Sequence, residues 1–527
     1  MQARFNHQVE LFHKTKDLPF FQTEWEVRVG KTIPAIDTVI HNYEQGAIDA
    51  ALIVAPNTVD LNWSRINLIE YVDEMKLGNL VDLNKNSLKV MQDSKIFEWS
   101  KSSSKTFKNE CSDLLTHPGL IWFCVNLEGI ADRQTKLGKI SYSRMQEYIE
   151  VFLAKRKVFL ICDEAHKFAK PDSKCTAAMI RLSKETILRR NLTGTPITDK
   201  PLDVWSEYQI LSPSIIHDEF GSPMRWTTFK STFAHWKHPG WGVKSPYARV
   251  LDIEQGERGY KNLDKLYALI DPHRSRLTQK ELYAMDPVAF SYFKEPVFER
   301  RMFEMSDKQQ KVYDKLRDDF IVQLDSGETI TAEQAMTNML RLQQVSRGYV
   351  GGVETGEVVD LGGPYPAIEL LLSYLEQIDG QVIVWCNFTA DIELILRVLK
   401  EEGIKCLRYD GKVSTEERVE ARKLMWEDPS YRVIVGNPSA GGLGVDMAFA
   451  ATMLNYSFNF RMDIRKQAIG RFQGPKQKSP ILLHVDFVAA GTNDYRCLQA
   501  LDGKENLSDI LTGDRARLKK FLMGERS

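Results

Sequence analysis

The hydrophobic pattern of the chain consists of two blocks in which short apolar runs alternate with segments of helical periodicity. The first block extends to about residue 211 and predicts strands at residues 51–55, 120–125, 158–162 and 190–193. The second extends from about residue 362 to 500 and predicts strands at residues 381–386, 405–409, 432–435, 452–456 and 481–485. Such alternation is typical of parallel sheets covered by helices, so we predict an α/β fold with two sheets in tandem.

The segment between the two blocks differs in composition. Residues 212–361 are rich in aromatic and charged side chains, and residues 330–350 have the periodicity of an amphipathic helix. We therefore predict a first lobe, a helical extension with a linker, a second lobe and a C-terminal tail, at residues 1–211, 212–361, 362–500 and 501–527.

The composition indicates a globular protein with more than one core. A chain of 527 residues is too long for one ordinary core, and 43% hydrophobic with 27% charged residues is close to average globular usage. Lysine and arginine number 70 against 71 aspartate and glutamate residues, so the whole chain has no general attraction for phosphate backbones. Any nucleic-acid site must therefore be a local groove.

The cysteines and the apolar runs bear on the cellular compartment. The seven cysteines form neither a CxxC pair nor a cysteine–histidine cluster at zinc-binding spacing, which favours a reducing compartment. The apolar runs are far shorter than the roughly 20 residues that span a bilayer, and the first residues lack the pattern of a secretory signal. We expect a cytoplasmic protein without a membrane partner.

A candidate phosphate site lies near the N-terminus. The run from Trp25 through Gly30, Lys31 and Thr32 precedes a segment of helical periodicity. A loop that ends in Gly-Lys-Thr at a helix start directs backbone N–H groups and a positive dipole end toward a polyphosphate. Lys31 would reach the outer phosphates, and Thr32 would ligate magnesium. Because Trp25 replaces the first glycine of the full GxxxxGKT pattern, the tripeptide alone also fits an ordinary surface turn.

A pair of carboxylates follows the strand predicted at residues 158–162. Asp163 at a strand end can hold magnesium, and Glu164 can orient or deprotonate an attacking water molecule. The tetrapeptide that ends at His166 also fits a solvated acidic turn. Its position after a buried strand and after the Gly-Lys-Thr loop favours a site for ATP and Mg²⁺.

With Leu192-Thr193-Gly-Thr195-Pro added, these motifs resemble the motif series of superfamily 2 helicases. The resemblance implies two RecA-like parallel-sheet lobes in tandem, with helical insertions between them, that hydrolyse ATP and act on nucleic acid. It also implies that Thr193, Thr195 and His166 couple the nucleotide site to the nucleic-acid groove. Without the resemblance, Thr-Gly-Thr-Pro indicates only a turn that ends a strand.

Further motifs are similar to the Swi/Snf-like branch of that superfamily. Asn6-His7-Gln8 resembles its adenine-reading glutamine motif, and Pro56 with Trp63 resembles its motif Ia. The run of residues 340–344, followed by Gly348, resembles the segment that leads into the second lobe. The resemblance covers about residues 4–490, with residues 214–300 matched poorly.

Two motifs of the second lobe complete the resemblance. Residues 441–446 look like motif V, with Asp446 where related enzymes contact the ribose, and residues 467–471 look like motif VI. The resemblance implies that Arg471 stabilises charge developing on the γ-phosphate and that Gln467 sits beside His166 and the attacking water. Gly474 departs from the pattern, because the family usually has a second arginine there, and Lys476 could supply only a point charge in its place.

The predicted site residues follow from these motifs. The predicted catalytic residues are Lys31, Asp163, Glu164, Gln467 and Arg471. The predicted ATP contacts are Gln8, Arg28, Val29, Gly30, Lys31, Thr32, Asp446 and Arg471, with magnesium at Thr32 and Asp163. The predicted nucleic-acid contacts, which would grip the backbone without reading sequence, are Pro56, Thr193, Asn387, Gly441 and Gly442.

The expected function is an ATP-dependent translocase or helicase that moves along or remodels DNA in replication, recombination or repair. The compact form resembles bacterial and bacteriophage members, which favours a bacterial or phage-infected cytoplasm and phage or host replication or recombination proteins as partners. Two alternatives stay open. One is an RNA-directed helicase of the DEAH kind, and the other is a nucleotide-sensing scaffold with little turnover, which Trp25 and Gly474 favour.

Overall fold

The chain folds into two compact units that divide between Asp286 and Pro287. The computed structural model describes residues 5–56, 63, 68, 85–99, 114–131, 133–134, 140–141, 143–194, 201–238, 249–252, 254–293, 295–325, 332–351, 358–439, 446–474, 476–502, 519 and 522. Among the helices in these ranges, none combines the length and the apolar character needed to cross a lipid bilayer.

The first unit is built on a parallel sheet that has seven strands in its described residues. The strands are β1 (Phe20–Trp25), β2 (Ala50–Ala55), β3 (Lys95–Glu98), β4 (Ile121–Asn126), β5 (Val158–Asp163), β6 (Leu188–Thr193) and β7 (Arg274–Leu277). Their spatial order is β7-β1-β6-β5-β2-β4-β3. The register pairs Glu24 with Thr193 and Asp163 with Leu192, so β1, β6 and β5 end side by side at one edge of the sheet.

Helices cover both faces of this sheet. They are α1 (Asn6–Thr15), α2 (Thr32–Glu44), α3 (Lys85–Gln92), α4 (Arg144–Lys155), α5 (Lys174–Ser183), α6 (Val204–Leu211), α7 (Trp226–Phe233), α8 (Leu263–Ile270) and α9 (Gln279–Met285). Successive strand residues point to opposite faces. Accordingly, Leu52 of β2 joins an apolar cluster with α4 and α5, while Ile53 joins one with α2.

The second unit repeats this plan with a six-stranded parallel sheet in its described part. The strands are β8 (Val297–Phe303), β9 (Val382–Trp385), β10 (Cys406–Tyr409), β11 (Val433–Gly436), β12 (Thr452–Asn455) and β13 (Leu483–Ala489), in the order β8-β13-β12-β9-β11-β10. The helices are α10 (Asp307–Asp325), α11 (Ala332–Arg347), α12 (Pro366–Gln377), α13 (Thr389–Glu401), α14 (Thr415–Glu427), α15 (Met462–Phe472) and α16 (Asp494–Asp502). Short antiparallel pairs join Arg133–Gln134 with Ile140–Ser141, Trp236–Lys237 with Val250–Leu251, and Tyr349–Gly351 with Val358–Asp360.

The predicted α/β class with two parallel sheets in tandem is confirmed, and every predicted strand is present. The hydrophobic pattern does not predict β1, β3, β7 and β8. Residues 212–361, expected to form a helical extension and linker, also contribute β7 to the first sheet and β8 to the second. A search for continuous apolar runs does not find these strands, because charged or polar side chains interrupt them.

Buried polar pairing explains why β1 and β7 are strands despite their composition. The Gln22 amide donates to Glu24 Oε1 at 3.0 Å and to Glu207 Oε2 at 2.9 Å, and Arg274 of β7 pairs with Glu24 Oε2 at 3.2 Å. Burial raises the pKa of Glu207 to about 8, so this acid is mostly protonated at neutral pH. The buried Glu24 carboxylate is therefore compensated by the Arg274 guanidinium, which also pairs with Asp271 at 2.6 Å.

Candidate nucleotide site

The candidate site lies where β1, β6 and β5 end next to one another, the edge at which parallel α/β sheets usually bind ligands. Lys31 Nζ donates to the Trp25 carbonyl at 3.2 Å, and it lies 3.4 Å from where a Cβ on Gly194 would stand. Its positive charge acts on both neighbouring acids: it opposes the rise that burial gives the pKa of Asp163 and contributes to the lowered pKa of Glu164. The structure thus brings together three residues that the sequence predicts to be catalytic.

The phosphate loop, residues 26–31, connects β1 to the start of α2 at Thr32. Arg28 and Gly30 have φ angles of 66° and 87°, and the Val29 side chain between them is buried. Because φ is positive at Arg28 and Gly30 but not at Val29, the backbone turns sharply just before the helix N-terminus. Loops of this kind can direct successive backbone N–H groups toward a phosphate.

The Trp25 departure from the glycine pattern has a structural explanation. Trp25 is the last residue of β1, and its φ is not positive, so the position needs no glycine. Its buried indole donates from Nε1 to Ser275 Oγ at 3.0 Å and packs against the His7 ring at a centroid distance of 5.2 Å. Trp25 therefore supports the loop from the sheet and does not obstruct it.

Gly30 combines a positive φ with a close neighbour, so replacing it with alanine is expected to displace the loop. A Cβ on Gly30 would stand 2.4 Å from Gln8 Nε2. We expect Gly30→Ala to cost about 1–3 kcal/mol of stability and to weaken nucleotide binding about ten-fold or more, because a misplaced phosphate loop loses its oriented contacts. Thermal unfolding and titration with a fluorescent ATP analogue measure the two effects.

Gly46 provides the matched control for this substitution. It follows the end of α2 with φ of 68°, and no atom of the described residues stands within 4 Å of the Cβ it would gain. Gly46→Ala should show backbone strain without weaker nucleotide binding. Equal nucleotide affinity in both variants would contradict the role given to Gly30.

Two side chains of helix α1 contact the phosphate loop. His7 Nε2 lies 3.0 Å from the Val29 carbonyl oxygen, and Gln8 Nε2 donates to the Gly30 carbonyl at 2.9 Å. The Gln8 side-chain oxygen accepts from the Phe5 N–H at 3.1 Å. In this structure the Gln8 amide supports the loop, and its predicted contact with adenine stays a prediction.

The other end of α1 is fixed by Arg190 of β6. The buried Arg190 Nη2 donates to the carbonyl oxygens of Thr15 at 2.7 Å and Leu18 at 2.8 Å, and the guanidinium lies 5.3 Å from the Phe159 ring centroid. The same strand ends at Thr193, so one strand both contacts the end of α1 and positions Thr193.

A residue that the motifs do not indicate braces the base of the phosphate loop. The Gln279 N–H donates to Glu26 Oε2 at 2.8 Å, and its side-chain amide donates to the Val27 carbonyl at 2.9 Å. Gln279 begins α9, whose capping box pairs Thr278 with Glu281. That capping pattern is readable in the sequence and predicts a helix start, but nothing in it predicts contact with a loop some 250 residues earlier.

Asp163 is buried and held by two donors. Trp63 Nε1 donates to Asp163 Oδ2 at 2.8 Å, and the Glu164 N–H donates to Oδ1 at 3.0 Å. Burial and the neighbouring charge of Glu164 raise the pKa of Asp163 above its usual value, although Lys31 and the Trp63 hydrogen bond oppose this.

Glu164 has the opposite electrostatic setting. It occupies a left-handed backbone conformation with φ of 54°, which is uncommon for a residue other than glycine and is a form of strain often found at functional sites. Its Oε2 lies 3.2 Å from His166 Nδ1 and accepts from the Gly194 N–H at 3.4 Å. Burial alone would raise the pKa of Glu164, but the His166 hydrogen bond and the charge of Lys31 outweigh it and lower the pKa.

His166 connects Glu164 to the LTGTP motif. His166 Nδ1 lies 3.2 Å from Thr193 Oγ1, and Thr193 is fully buried. His166 Nε2 is buried and has no hydrogen-bond partner among the described residues. Thr195, the other predicted coupling residue, lies outside the described residues.

The residues present fit a magnesium ion bound together with a nucleotide. Asp163 offers carboxylate oxygen and Thr32 offers hydroxyl oxygen, the hard ligands that Mg²⁺ prefers. In the described part of the chain, no group of three or more His, Cys, Asp or Glu side chains could hold a metal by itself. Such a sparse ligand set matches Mg²⁺, which is often held by one or two carboxylates together with substrate phosphates.

Arg471 of α15 lies inside the second unit. Its side chain is 4% exposed, Nη2 donates to the Pro438 carbonyl at 2.5 Å, and the guanidinium lies 5.1 Å from the Trp385 ring centroid. Gln467, on the same helix, is half-buried. The predicted roles of Arg471 and Gln467 at the nucleotide stay predictions.

Polar groups gather around Asn387, where β9, β11 and β12 end. The Asn387 N–H donates to Ser457 Oγ at 2.8 Å, its carbonyl accepts from Asn437 Nδ2 at 3.1 Å, and its side-chain oxygen accepts from Asn459 Nδ2 at 3.2 Å. Of the other predicted nucleic-acid contacts, Gly441 and Gly442 lie outside the described residues, while Pro56 and Thr193 are buried. Their nucleic-acid contacts stay predictions.

Two family models match most of the chain. The SNF2-related domain matches residues 26–348, and the helicase conserved C-terminal domain matches residues 366–473. The chain belongs to the SNF2-related family. The two parallel-sheet units of this SNF2-related chain agree with the two RecA-like lobes that the motif resemblance implies.

Relatives of the SNF2-related chain carry helicase names. An uncharacterized ATP-dependent helicase of Mycoplasma pneumoniae is 18% identical over 92% of this chain and 39% of its own length. An ATP-dependent DNA helicase of Arabidopsis thaliana is 22% identical over 67% of this chain and 45% of its own length. The chain therefore spans less than half the length of these two curated relatives. The SWI2/SNF2 ATPase core of Sulfolobus solfataricus in complex with dsDNA matches 98% of this chain and 94% of its own, with 18% identity and a TM-score of 0.36.

Gly474, where the SNF2-related chain departs from the motif VI pattern, follows the end of the helicase C-terminal match. Among the described residues, the nearest atom to a Cβ on Gly474 would be Asp446 Oδ1 at 3.9 Å. The Lys476 ammonium lies 5.8 Å from the Trp426 ring centroid. Contacts with the described residues therefore do not explain the glycine.

Proposed function

We propose that this SNF2-related chain hydrolyses ATP and uses it to move along or remodel DNA, as a translocase or helicase in replication, recombination or repair. The observation that carries the proposal is the meeting of Lys31, Asp163 and Glu164 at one sheet edge, with the two carboxylate pKa values shifted in opposite directions. Adjacent acids with separated pKa values are typical of sites in which the two groups have different chemical roles.

Each residue of this group has a distinct role in the proposed reaction. The phosphate loop and Lys31 bind the triphosphate, and Thr32 with Asp163 would hold magnesium, which supplies charge neutralisation at the phosphate oxygens. Glu164 stays ionised at neutral pH because its pKa is lowered, and His166 fixes its carboxylate. It can therefore orient the attacking water and accept its proton.

Hydrolysis and nucleic-acid binding would be coupled through His166. The chain of contacts from Glu164 through His166 to Thr193 leads from the base to the LTGTP motif. Because His166 also has a buried nitrogen without a described partner, a small shift of Thr193 could change how His166 holds Glu164. We propose that bound DNA acts on turnover along this route.

DNA is the proposed track, in line with the name of the Arabidopsis thaliana relative. Phosphate release measured with duplex, forked and single-stranded DNA and with RNA tests this. We expect DNA to raise the rate and the increase to fall steeply with salt, because backbone contacts compete with counterions.

Lys31→Ala serves as the control for that experiment and should abolish both basal and stimulated release. A rate that no polynucleotide raises would refute the motor proposal. Stimulation by RNA alone would replace DNA with RNA as the track, and release that survives Lys31→Ala would show that the activity does not come from this site.

A further inference from the structure

Trp63 is the one described residue outside the 163–164 segment that donates a side-chain hydrogen bond to Asp163. Its side chain is 0% exposed and belongs to the apolar cluster that also contains Trp122 of β4. Trp122 is equally buried, yet its Nε1 has no hydrogen-bond partner among the described residues. The two tryptophans share one packing environment and differ in whether the indole N–H contacts the carboxylate.

The two donors to Asp163 fix how its carboxylate is rotated. Oδ2 accepts from Trp63 and Oδ1 accepts from the Glu164 N–H, so each oxygen has one directional partner. A carboxylate oxygen has two lone-pair sites. One site on each oxygen is therefore left for a magnesium ion or a water molecule bound to it, with a direction that the two donors determine.

Packing alone does not require this arrangement. The filled apolar cluster accommodates Trp122 without a partner for its indole N–H, so a tryptophan can be buried there without contacting a carboxylate. Groups that hydrogen-bond to metal ligands orient them and commonly matter for metal affinity. The Trp63 hydrogen bond has the geometry of such a contact.

We infer that Trp63 is a positioning residue that orients the Asp163 carboxylate for magnesium. This inference rests on the proposed role of Asp163 in the nucleotide site. It assigns a function to a tryptophan that the sequence places only within a motif Ia resemblance, and it predicts that the indole N–H, more than the ring, sets magnesium affinity.

The test compares magnesium titrations of full-length wild type, Trp63→Phe and the matched control Trp122→Phe, each with bound fluorescent mant-ADP. Trp63→Phe should raise the magnesium concentration at half-saturation about ten-fold, as loss of a partner to a metal ligand typically does. Its affinity for mant-ADP in chelator, without magnesium, should match that of Trp122→Phe. Both variants lose similar ring volume from one cluster, so packing losses cancel in the comparison.

A second variant keeps the test decisive if Trp63→Phe does not fold. Trp63→benzothienylalanine preserves the bicyclic shape and removes only the N–H, and it should give the same magnesium shift. Coincident magnesium curves for the position 63 and position 122 variants would overturn the inference, as would an equal loss of affinity with and without magnesium. The titration uses neither DNA nor turnover, so its outcome is separate from that of the phosphate-release experiment.

Discussion

Replacing Glu164 with glutamine is expected to lower ATP turnover about a thousand-fold, the size of a typical general-base contribution, while nucleotide binding persists. The amide keeps the shape of the side chain and can still contact His166, but it cannot accept a proton from water. The pKa of Glu164 is lowered, so the substitution removes a charge that is present throughout the neutral range. Phosphate release and binding of a fluorescent ATP analogue, measured on one preparation, separate the two effects.

Glu207→Gln is the matched control for Glu164→Gln. Glu207 is also buried in the first unit, but its pKa is raised to about 8, so the acid is already mostly neutral at pH 7. Its Gln22 contact requires only an acceptor oxygen, which glutamine retains. Turnover should therefore stay near that of wild type. Near-normal turnover in Glu164→Gln would show that Glu164 is not the general base and that another group accepts the proton.

The apolar strands and the chemistry at their ends are predictable from the sequence because both are local. β5 is a run of buried side chains that ends in Asp163 and is followed at once by Glu164, and the ends of parallel strands lie at one edge of a sheet. The Gly-Lys-Thr loop is equally local. What the sequence does not provide is the neighbour of each strand, since pairing partners are distant along the chain.

β1, which lies beside the edge strand β7 of the first sheet, shows why the hydrophobic pattern fails there. Gln22 and Glu24 are fully buried, although polar side chains at these positions predict an exposed strand or a loop. They are tolerated because Arg274 and Glu207, from distant segments, satisfy them in space. A hydrophobic criterion cannot anticipate that compensation, which also explains why β7 is absent from the predicted set.

Individual contacts at the site are further from prediction than the motifs. The motif Ia resemblance includes Trp63, yet only the fold shows its indole on Asp163. Likewise, motif VI contains Arg471, and only the packing shows that its guanidinium lies against Trp385. Side-chain direction depends on neighbouring elements, so a motif identifies the residue without fixing what it touches.

The core of the second unit contains a fully buried arginine, Arg347. Arg347 ends α11 and is 0% exposed. Its Nη2 donates to the Phe487 carbonyl of β13 at 3.0 Å and lies 3.3 Å from Asp494 Oδ2, and the guanidinium lies 5.0 Å from the Phe303 ring centroid. One side chain thus joins α11, β8, β13 and the start of α16.

Arg347→Met is expected to destabilise the second unit by about 3–5 kcal/mol, the usual cost of removing one partner of a buried ion pair. Methionine fills much of the space, but it leaves the Asp494 carboxylate buried without its cation. Hydrogen exchange of the full chain, followed by mass spectrometry, should show faster exchange in peptides from α11 and β13. Peptides from the first unit report whether the change stays local.

Arg317→Met on α10 is the control, because its pairs with Asp314 and Asp318 are partly exposed and such pairs are worth about 0–1 kcal/mol.

The pH dependence of the stability of Arg347→Met gives a second check. Burial raises the pKa of Asp494 and Arg347 opposes this, so the variant should raise that pKa further. The folded variant then binds a proton that the unfolded chain releases, and its stability falls as pH rises through the raised value. The loss of stability of Arg347→Met relative to wild type should accordingly become smaller in acid, below the ordinary pKa of an aspartate. A loss of stability that is the same at all pH values, or no larger than the loss in Arg317→Met, would show that Arg347 does not stabilise the charged form of Asp494.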